Sequence, residues 1–260
     1  MAIDLSERQV EIAELLREKG FLRVESLAEQ FDVTTQTIRR DLTTLCDYGL
    51  ARRRHGGIER PVGTGNLDYG SRQILSRSAK QAIAREVARH VPDNASVAFG
   101  VGTTPEVVAA ALLQHEGLRV VTNNLNVAML ACSHPGFEVN VAGGRVRNGD
   151  GDILGSGMEA FWSSYMCDIG VYGVAGVSES GGLLDFYDEE VRVRRLIHEN
   201  SRETFLVVDQ SKFTRTAHVR GGEIGEASKV FCDGIPPPPI LEVLERSGSE
   251  LVICAKDDNV

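Results

Sequence analysis

TTQTIRRDLTTL, residues 34–45, decides the fold of the first part of this 260-residue chain. Ile38, Leu42 and Leu45 recur at helical spacing, and Thr34 can cap the helix because its hydroxyl accepts from free backbone N–H groups of the first turn. Two shorter amphipathic patterns precede it, formed by Ile12, Leu15 and Leu16 and then by Val24, Leu27, Ala28 and Phe31. Three helices with short connections predict a helix-turn-helix.

The third helix turns two consecutive arginines away from the core. With Ile38 on the core side, Arg39 and Arg40 lie at roughly 100° and 200° on the helical wheel, and Gln36 and Thr43 lie between them. The residues three and four positions away are threonine, glutamine or leucine, so no acid can pair with either arginine along the helix. Such a face suits the major groove of DNA, where Gln and Arg bond base edges and Arg also holds phosphate.

LARRRHGGI, residues 50–58, follows the helix and is typical of a short hairpin with a Gly-Gly turn. In a winged helix-turn-helix, arginines on that hairpin can bind backbone phosphate. His55 is as readily an ordinary surface histidine as a phosphate contact.

Charge is distributed unevenly. The chain has a net charge of −9, but residues 34–60 carry six arginines against three acids. Any nucleic-acid surface is therefore local.

The five cysteines are scattered and never form a C-x-x-C pair, which predicts reduced, mostly buried thiols and no zinc site. No run is long and apolar enough for a membrane helix, and the amino terminus lacks a signal pattern, so we expect a cytoplasmic protein.

Three segments are predicted: a winged helix-turn-helix over residues 1–58, a linker over 59–79 that is rich in Gly, Pro and Ser, and a larger domain over 80–256. In the larger domain, apolar runs such as SVAF (96–99), RVVT (119–122) and TFLVV (204–208) alternate with helical patterns. This alternation predicts an α/β fold with a mostly parallel sheet, whose ligands bind beyond the carboxyl ends of the strands.

Loops at those strand ends favour a phosphate group. Gly102, Thr103 and Thr104 precede Pro105 at the start of a predicted helix, where backbone N–H groups and hydroxyls attract anions. TNNLN (122–126) and AGGR (142–145) follow the next two strands, and Lys212 follows a later buried strand. Each stretch by itself also fits ordinary helix capping or a surface lysine without a role. We predict a phosphate site because all of these stretches follow strands at equivalent ends.

T-x-x-T-I-R-R-D-L, followed by glycine, leucine, basic residues and H-G-G, resembles the DeoR family of bacterial transcriptional regulators. GTTPEVVAAALL, RVVTNNLNVA, AGGRVR and VVDQSKFTR resemble its sensor domain, whose fold is similar to that of ribose-5-phosphate isomerase. The family motif centres on Arg39, Arg40, Asp41 and Leu42. We expect Asp41, near the core edge of the helix, to brace a neighbouring arginine or backbone group and not to contact DNA.

The predicted DNA-binding residues are Thr34, Thr35, Gln36, Thr37, Arg39, Arg40, Thr43, Arg52, Arg53, Arg54 and His55. By the resemblance, the predicted effector-binding residues are Gly102, Thr103, Thr104, Asn123, Asn124, Gly143, Gly144, Asp185, Glu190 and Lys212. The family commonly has an aspartate where this chain has Gly100, and we hypothesise that Asp185 or Glu190 supplies the missing acceptor for a hydroxyl of the effector.

The strand-end loops by themselves indicate only a small phosphorylated effector. The resemblance implies a repressor that is released from operator DNA by glycerol-3-phosphate or a similar phosphorylated metabolite. We expect it to act as a homo-oligomer, dimer or tetramer, without a cofactor or metal. A family member that responds to another sugar phosphate is the first alternative. An isomerase-like enzyme would need a general base and an electrophile besides the lysine assigned to phosphate. A protein-interaction module is the third alternative, and it has no distinguishing feature in the sequence.

Overall fold

The computed structural model describes residues 5–60 and 66–255, and the chain divides into two compact units, Met1–Arg77 and Ser78–Val260. The division falls inside the predicted linker. Part of that linker forms a short helix, Tyr69–Ile74, which Asp68 caps through its side chain. Residues 61–65 of the predicted linker, together with residues 1–4 and residue 256, lie outside the described residues.

The first unit is the winged helix-turn-helix that the sequence predicts. Its elements are α1 Glu7–Lys19, β1 Phe21–Arg23, α2 Val24–Gln30, α3 Thr35–Asp47, β2 Arg52–Arg54, β3 Gly57–Glu59 and α4 Tyr69–Ile74. Ile12, Leu16, Leu27, Ile38 and Ile58 form its fully buried centre. The three strands pair antiparallel in the order β1-β3-β2. Strand β1 was not predicted, because its three residues have no pattern of their own and gain strand structure only by pairing with β3.

The second unit is built on a seven-stranded sheet that is parallel throughout, as predicted. Its strands are β4 Ser96–Phe99, β5 Arg119–Thr122, β6 Glu138–Val141, β9 Cys167–Tyr172, β12 Ser201–Val208, β14 Lys229–Cys232 and β15 Glu250–Ile253. They lie in the order β15-β14-β12-β9-β4-β5-β6. Because every strand runs in the same direction, all their carboxyl ends meet at one edge of the sheet.

Helices cover both faces of this sheet. They are α5 Arg77–His90, α6 Thr103–Ala111, α7 Leu125–Ala131, α8 Met158–Trp162, α9 Asp188–Glu199 and α10 Pro238–Ser247, with 3-10 turns at Leu112–Gln114, Gln210–Thr214 and Ile224–Glu226. Successive residues of β4 alternate between two hydrophobic clusters. Val97 and Phe99 pack with α5, α6 and α7, whereas Ala98 belongs to the cluster that contains α9 residues.

Two small antiparallel sheets extend the second unit, and neither was predicted. One is the hairpin β7 Arg145–Arg147 and β8 Asp152–Leu154; the other joins β10 Gly176–Val177, β11 Gly182–Asp185 and β13 Val219–Glu223. These strands have two to five residues each, too few for a local pattern to identify them.

Among residues 5–60 and 66–255, no helix combines the length and the apolar composition that crossing a bilayer requires. The same residues contain no group of three or more His, Cys, Asp or Glu side chains placed to hold a metal ion.

All five cysteines are free thiols. Cys167, Cys232 and Cys254 are buried, Cys46 is half-buried and Cys132 is exposed.

Candidate DNA-binding face and effector site

The start of the recognition helix α3 is organised by its cap. The Thr34 hydroxyl accepts from the backbone N–H of Thr37 at 3.2 Å, and the hydroxyls of Thr34 and Thr37 lie 3.0 Å apart. Thr35 and Gln36 are exposed in the first turn. The cap thus satisfies one of the backbone N–H groups that lack a partner within the helix.

Arg39 and Arg40 are both exposed on α3, while Ile38 between them and the cap is fully buried. No hydrogen bond or ion pair seen within the described parts of the chain involves either guanidinium group. Two cations without an internal acid are available to an external anion. The Thr43 hydroxyl, one turn later, donates to the carbonyl of Arg39 at 2.7 Å.

Asp41 faces inward, as the sequence predicts. Only 5% of it is exposed, and its carboxylate accepts from Arg8 Nε at 2.7 Å and from Gln9 Nε2 at 2.9 Å. Both donors belong to α1, so this side chain ties the first helix to the recognition helix. The hydrogen bond from Arg8 raises the pKa of that guanidinium. The expectation that Asp41 braces a neighbouring arginine is confirmed.

The wing divides its three arginines between two faces. Arg52 and Arg54 both pair with Glu59, at 2.8 Å from Arg52 Nε and 3.1 Å from Arg54 Nη1. Hydrogen bonding from Arg52 is the main cause that lowers the pKa of Glu59. Arg53 lies opposite the buried Ile58 in the strand register, and its Nη2 reaches the Thr43 hydroxyl of α3 at 2.5 Å.

Arg53 is therefore the wing arginine that contacts the recognition helix. The charge of Arg52 and Arg54 is partly balanced by Glu59, which the sequence analysis did not take into account. His55 is exposed in the turn between β2 and β3. The unit thus presents an exposed helix face and a cationic hairpin joined to it, which is an arrangement that can bind the groove and backbone of duplex DNA.

In the second unit, the loop after β4 leads directly into α6. Gly102 caps this helix with φ of +119°, a conformation that favours glycine. Thr103 and Thr104 form the first turn and are 7% and 5% exposed. The start of α6 therefore points its first backbone N–H groups toward the carboxyl edge of the sheet, where they can attract an anion.

The loop after the neighbouring strand β5 is held by its own amides. The Asn124 side chain caps α7 by accepting from the backbone N–H of Asn126, and its Nδ2 donates to Glu106 in α6 at 2.9 Å. Asn123 is fully buried, and its Nδ2 donates to the carbonyl of Ile153 at 2.9 Å. The side-chain donors expected to face an effector therefore have protein acceptors here, and an effector role for these two residues stays a prediction.

The loop after β6 brings the backbone close to the hairpin. Gly144 has φ of +154°, and a Cβ atom on it would lie 3.0 Å from Ile153 Cγ2. A Cβ atom on Gly143 would meet nothing within 4 Å. Gly144 is thus required by a close approach, whereas Gly143 borders open space at the sheet edge.

Lys212 lies on the 3-10 turn Gln210–Thr214 after β12 and is half-buried. Asp209 shapes this turn by accepting from the backbone N–H of Ser211 at 3.0 Å. In the sheet, β9 lies between β12 and β4. Lys212 and Gly102 therefore follow strands at the same edge, with one strand between them.

Asp185 and Glu190 are both ion-paired. Asp185 accepts from Arg194 Nη2 at 2.9 Å and from the backbone N–H of Ala175 at 3.1 Å, while Glu190 accepts from Arg147 Nη2 at 2.7 Å. Burial raises the pKa of Glu190, and the contact with Arg147 opposes that shift. That either carboxylate accepts from an effector hydroxyl in place of the family's usual aspartate stays a hypothesis.

Gly100 is itself explained by packing. A Cβ atom there would lie 3.2 Å from Ile197 Cδ1 and 3.4 Å from Tyr172 Cβ, so a larger residue would require the Ile197 side chain to move by a few tenths of an ångström. The glycine allows Ile197, which is fully buried, to approach the sheet.

Three residues at this edge were missed by the sequence analysis: Glu106, Arg147 and Arg194. Glu106 lies in the first turn of α6 and accepts from both Asn124 and Asn126. A signal for Glu106 existed, since it comes two residues after the predicted phosphate loop. Arg147 ends the AGGRVR stretch, but neither it nor Arg194 was predicted as a site residue, because their carboxylate partners are identified only by the tertiary fold.

Together the two units define a helix-turn-helix regulator with a sensor domain. Residues 8–62 match the family described as "DeoR-like helix-turn-helix domain", and residues 76–234 match "DeoR C terminal sensor domain". The chain belongs to the DeoR family.

Curated relatives match over almost the whole chain. It is 41% identical to the glycerol-3-phosphate regulon repressor of Escherichia coli (strain K12), over 96% of this chain and 99% of that protein. It is 43% identical to the protein of the same name in Haemophilus influenzae, over 95% and 96%. It is 34% identical to the HTH-type transcriptional repressor CsqR of Escherichia coli (strain K12), over 96% of each. These relatives are named as repressors, so the isomerase alternative is not supported.

A solved ribose-5-phosphate isomerase in complex with phospho-erythronic acid is similar over 52% of each chain, with 16% identity and a TM-score of 0.38. A similarity this low carries no argument about the activity of this chain.

Proposed function

We propose that this protein is a repressor of glycerol-3-phosphate metabolism genes, which binds operator DNA through α3 and the wing and is released by glycerol-3-phosphate. The observation that carries the proposal is the identity of 41% to 43% over nearly the full length with proteins named for that regulon. Arg39 and Arg40 support the DNA-binding part of the proposal, because both are exposed and neither is paired within residues 5–60 and 66–255.

The effector is expected at the carboxyl edge of the parallel sheet. Its phosphate would lie at the start of α6, held by Gly102, Thr103 and Thr104 and balanced by Lys212. No cofactor or metal takes part in this mechanism. Operator binding and effector binding are linked, because an effector that prefers the non-binding arrangement shifts the population toward it. Typical coupling of about 1 to 3 kcal/mol would weaken operator binding about 5- to 150-fold.

Two or more copies acting together would present paired recognition helices to successive half-sites on one face of the duplex. We therefore propose a homo-oligomer, a dimer or tetramer, acting in the cytoplasm, where operator DNA and phosphorylated metabolites are both present.

The test is a titration of the purified full chain with promoter fragments from glycerol-3-phosphate genes, followed by release with a panel of three- to six-carbon phosphates. We expect specific binding that only glycerol-3-phosphate reverses at low concentration. Reversal by a hexose or pentose phosphate instead would support a family member with another effector. Failure to bind any duplex at low ionic strength would contradict the proposal as a whole.

A further inference from the structure

Arg147, on the hairpin strand β7, forms ion pairs with carboxylates from two separate parts of the second unit. Its Nε and Nη2 contact Asp152 at 2.9 and 2.8 Å, and Nη2 also contacts Asp150 at 3.1 Å and Glu190 at 2.7 Å. Its guanidinium carbon lies 4.7 Å from the centre of the Tyr187 ring. The remaining nitrogen, Nη1, is buried and has no hydrogen-bond partner among the described residues. A buried donor without a partner is costly, so Nη1 marks a place where an acceptor would be favourable.

Hydrogen bonds connect the hairpin that carries Arg147 to the loop next to the expected phosphate site. The hairpin is fastened to the loop after β5, where the Ile153 N–H donates to the carbonyl of Asn123 at 2.7 Å. Glu190 belongs to α9, which packs against β9. In the sheet, β4 lies between β5 and β9. The contact between Arg147 and Glu190 therefore spans from the β5 side to the β9 side, across the strand whose carboxyl end carries the phosphate loop.

A second set of hydrogen bonds connects the hairpin to the first turn of α6. Asn126 Nδ2 donates to the carbonyl of Asp150 at 3.0 Å and to Glu106 at 3.2 Å. Glu106 lies in the first turn of α6, the helix expected to bind phosphate. The hairpin that carries Arg147 is thus two hydrogen bonds away from that turn.

An acceptor without a hydrogen-bond partner lies at the residue that attaches the hairpin to the loop after β5. Asn123 is fully buried, and its Oδ1 has no hydrogen-bond partner within the described ranges. Asn123 bonds Ile153, the residue directly after Asp152, which in turn bonds Arg147. A hydroxyl group can accept from one neighbour and donate to another, so it complements an unused N–H and an unused oxygen.

The local charge selects a hydroxyl over a second anion. Arg147 already meets three carboxylates, which together exceed its single positive charge. Another phosphate at this position would be repelled, whereas a neutral hydroxyl would not.

We propose that Arg147 is a specificity-determining residue which, with Asn123, binds the hydroxyl-bearing end of the effector, while the start of α6 binds its phosphate. This inference rests on the proposed function, because it assumes a phosphorylated polyol as effector. It assigns a role to Arg147, the last residue of the AGGRVR stretch, which the sequence analysis did not include among the effector-binding residues.

The experiment compares three ligands by calorimetry on the full chain: glycerol-3-phosphate, propyl phosphate, which lacks both hydroxyls, and inorganic phosphate. In the parent protein, glycerol-3-phosphate should bind about 10- to 100-fold more tightly than propyl phosphate, as expected for hydrogen bonds to a charged group. Because this comparison changes only the ligand, it does not depend on how a variant folds. Equal affinity for the two compounds would overturn the proposal.

Arg147→Lys keeps the positive charge and removes the planar fork, including Nη1. We expect it to lose most of the preference for glycerol-3-phosphate over propyl phosphate, while its affinity for inorganic phosphate and for operator DNA stays within about threefold. Arg145→Lys is the matched control, since Arg145 is exposed on the same strand, and it should behave as the parent does.

Two results for Arg147→Lys would contradict the assignment. One is an unchanged preference, and the other is an equal loss of affinity for all three ligands, which indicates a purely structural role. In both cases effector release of operator DNA by the parent would remain intact, so the proposed function would stand. Absence of any phosphate-ligand binding in the parent would instead overturn both proposals.

Discussion

Asp41 binds Arg8 across the helix-turn-helix, with 2.7 Å between Arg8 Nε and Asp41 Oδ2. The aspartate that follows the two exposed arginines thus faces the opposite way from them and fixes the helix that carries them. The arginines can face DNA because their neighbour holds the helix to α1.

Replacing Asp41 with asparagine should loosen the first unit. The change removes the charge that Arg8 and Gln9 contact, and a lost buried charged hydrogen bond costs about 1 to 3 kcal/mol. We expect faster amide hydrogen exchange in α1 and α3 and unchanged exchange in Ser78–Val260. Asp47→Asn, an exposed acid in the same helix, is the control. Equal exchange in the two variants would show that Asp41 does not hold these helices.

Arg39→Ala should weaken operator binding by about 1 to 3 kcal/mol and relax the preference for the operator over random DNA. Arg40→Ala should instead lower the log–log salt slope by about 0.9, as expected for one lost phosphate contact. Fluorescence anisotropy at several salt concentrations measures both. Arg52→Ala serves as the comparison, and a smaller effect is expected because Glu59 already balances Arg52. A larger loss in Arg52→Ala than in either helix variant would contradict this ranking.

Thr43 and Arg53 should be energetically coupled in operator binding, because the 2.5 Å contact between them joins the wing to the recognition helix. A double-mutant cycle with Thr43→Val and Arg53→Ala should give a coupling of about 0.5 to 1.5 kcal/mol. The control cycle uses Thr44→Val in place of Thr43→Val, because the Thr44 hydroxyl donates to the carbonyl of Arg40. Additive losses in the first cycle would mean that the contact does not position the wing on DNA.

Lys212→Ala should leave operator binding unchanged and abolish release by glycerol-3-phosphate, because the phosphate would lose its balancing charge. A gel-shift titration with and without effector measures both properties. Lys229→Ala is the matched control, since Lys229 begins β14 at the opposite edge of the sheet and pairs with Glu250. Normal release in Lys212→Ala would remove this lysine from the effector site.

Cys132 should be the fast-reacting thiol at pH 8. Burial raises the pKa of Cys167 to about 11 and that of Cys232 and Cys254 to about 12, so these groups stay protonated and shielded. Burial also raises the pKa of Cys46, which is half-buried. A chromogenic disulfide reagent should show one rapid thiol in the native chain, lost in Cys132→Ser, and five after denaturation. A rapid phase that persists in Cys132→Ser would contradict the buried positions of the other thiols.

Much of this protein could be predicted from local patterns. Apolar spacing is a property of neighbouring residues, so the three helices, the wing and each strand of the parallel sheet were predictable. The exposure of Arg39 and Arg40 was predictable for the same reason, since helical geometry alone places them opposite Ile38. The expected phosphate loop before Pro105 rests on the chemistry of a helix start, and its binding of phosphate stays a prediction.

Only the tertiary structure decided which charges meet. Glu59 pairs with Arg52 and Arg54 because antiparallel register brings them together, and Arg53 reaches Thr43 because the hairpin packs beside α3. Arg147 and Glu190 are 43 residues apart, and no local pattern relates them. The short strands β1, β7 and β8 likewise exist only through their partners. Periodicity determines local structure, whereas ion pairing depends on distances that the chain acquires only when it folds.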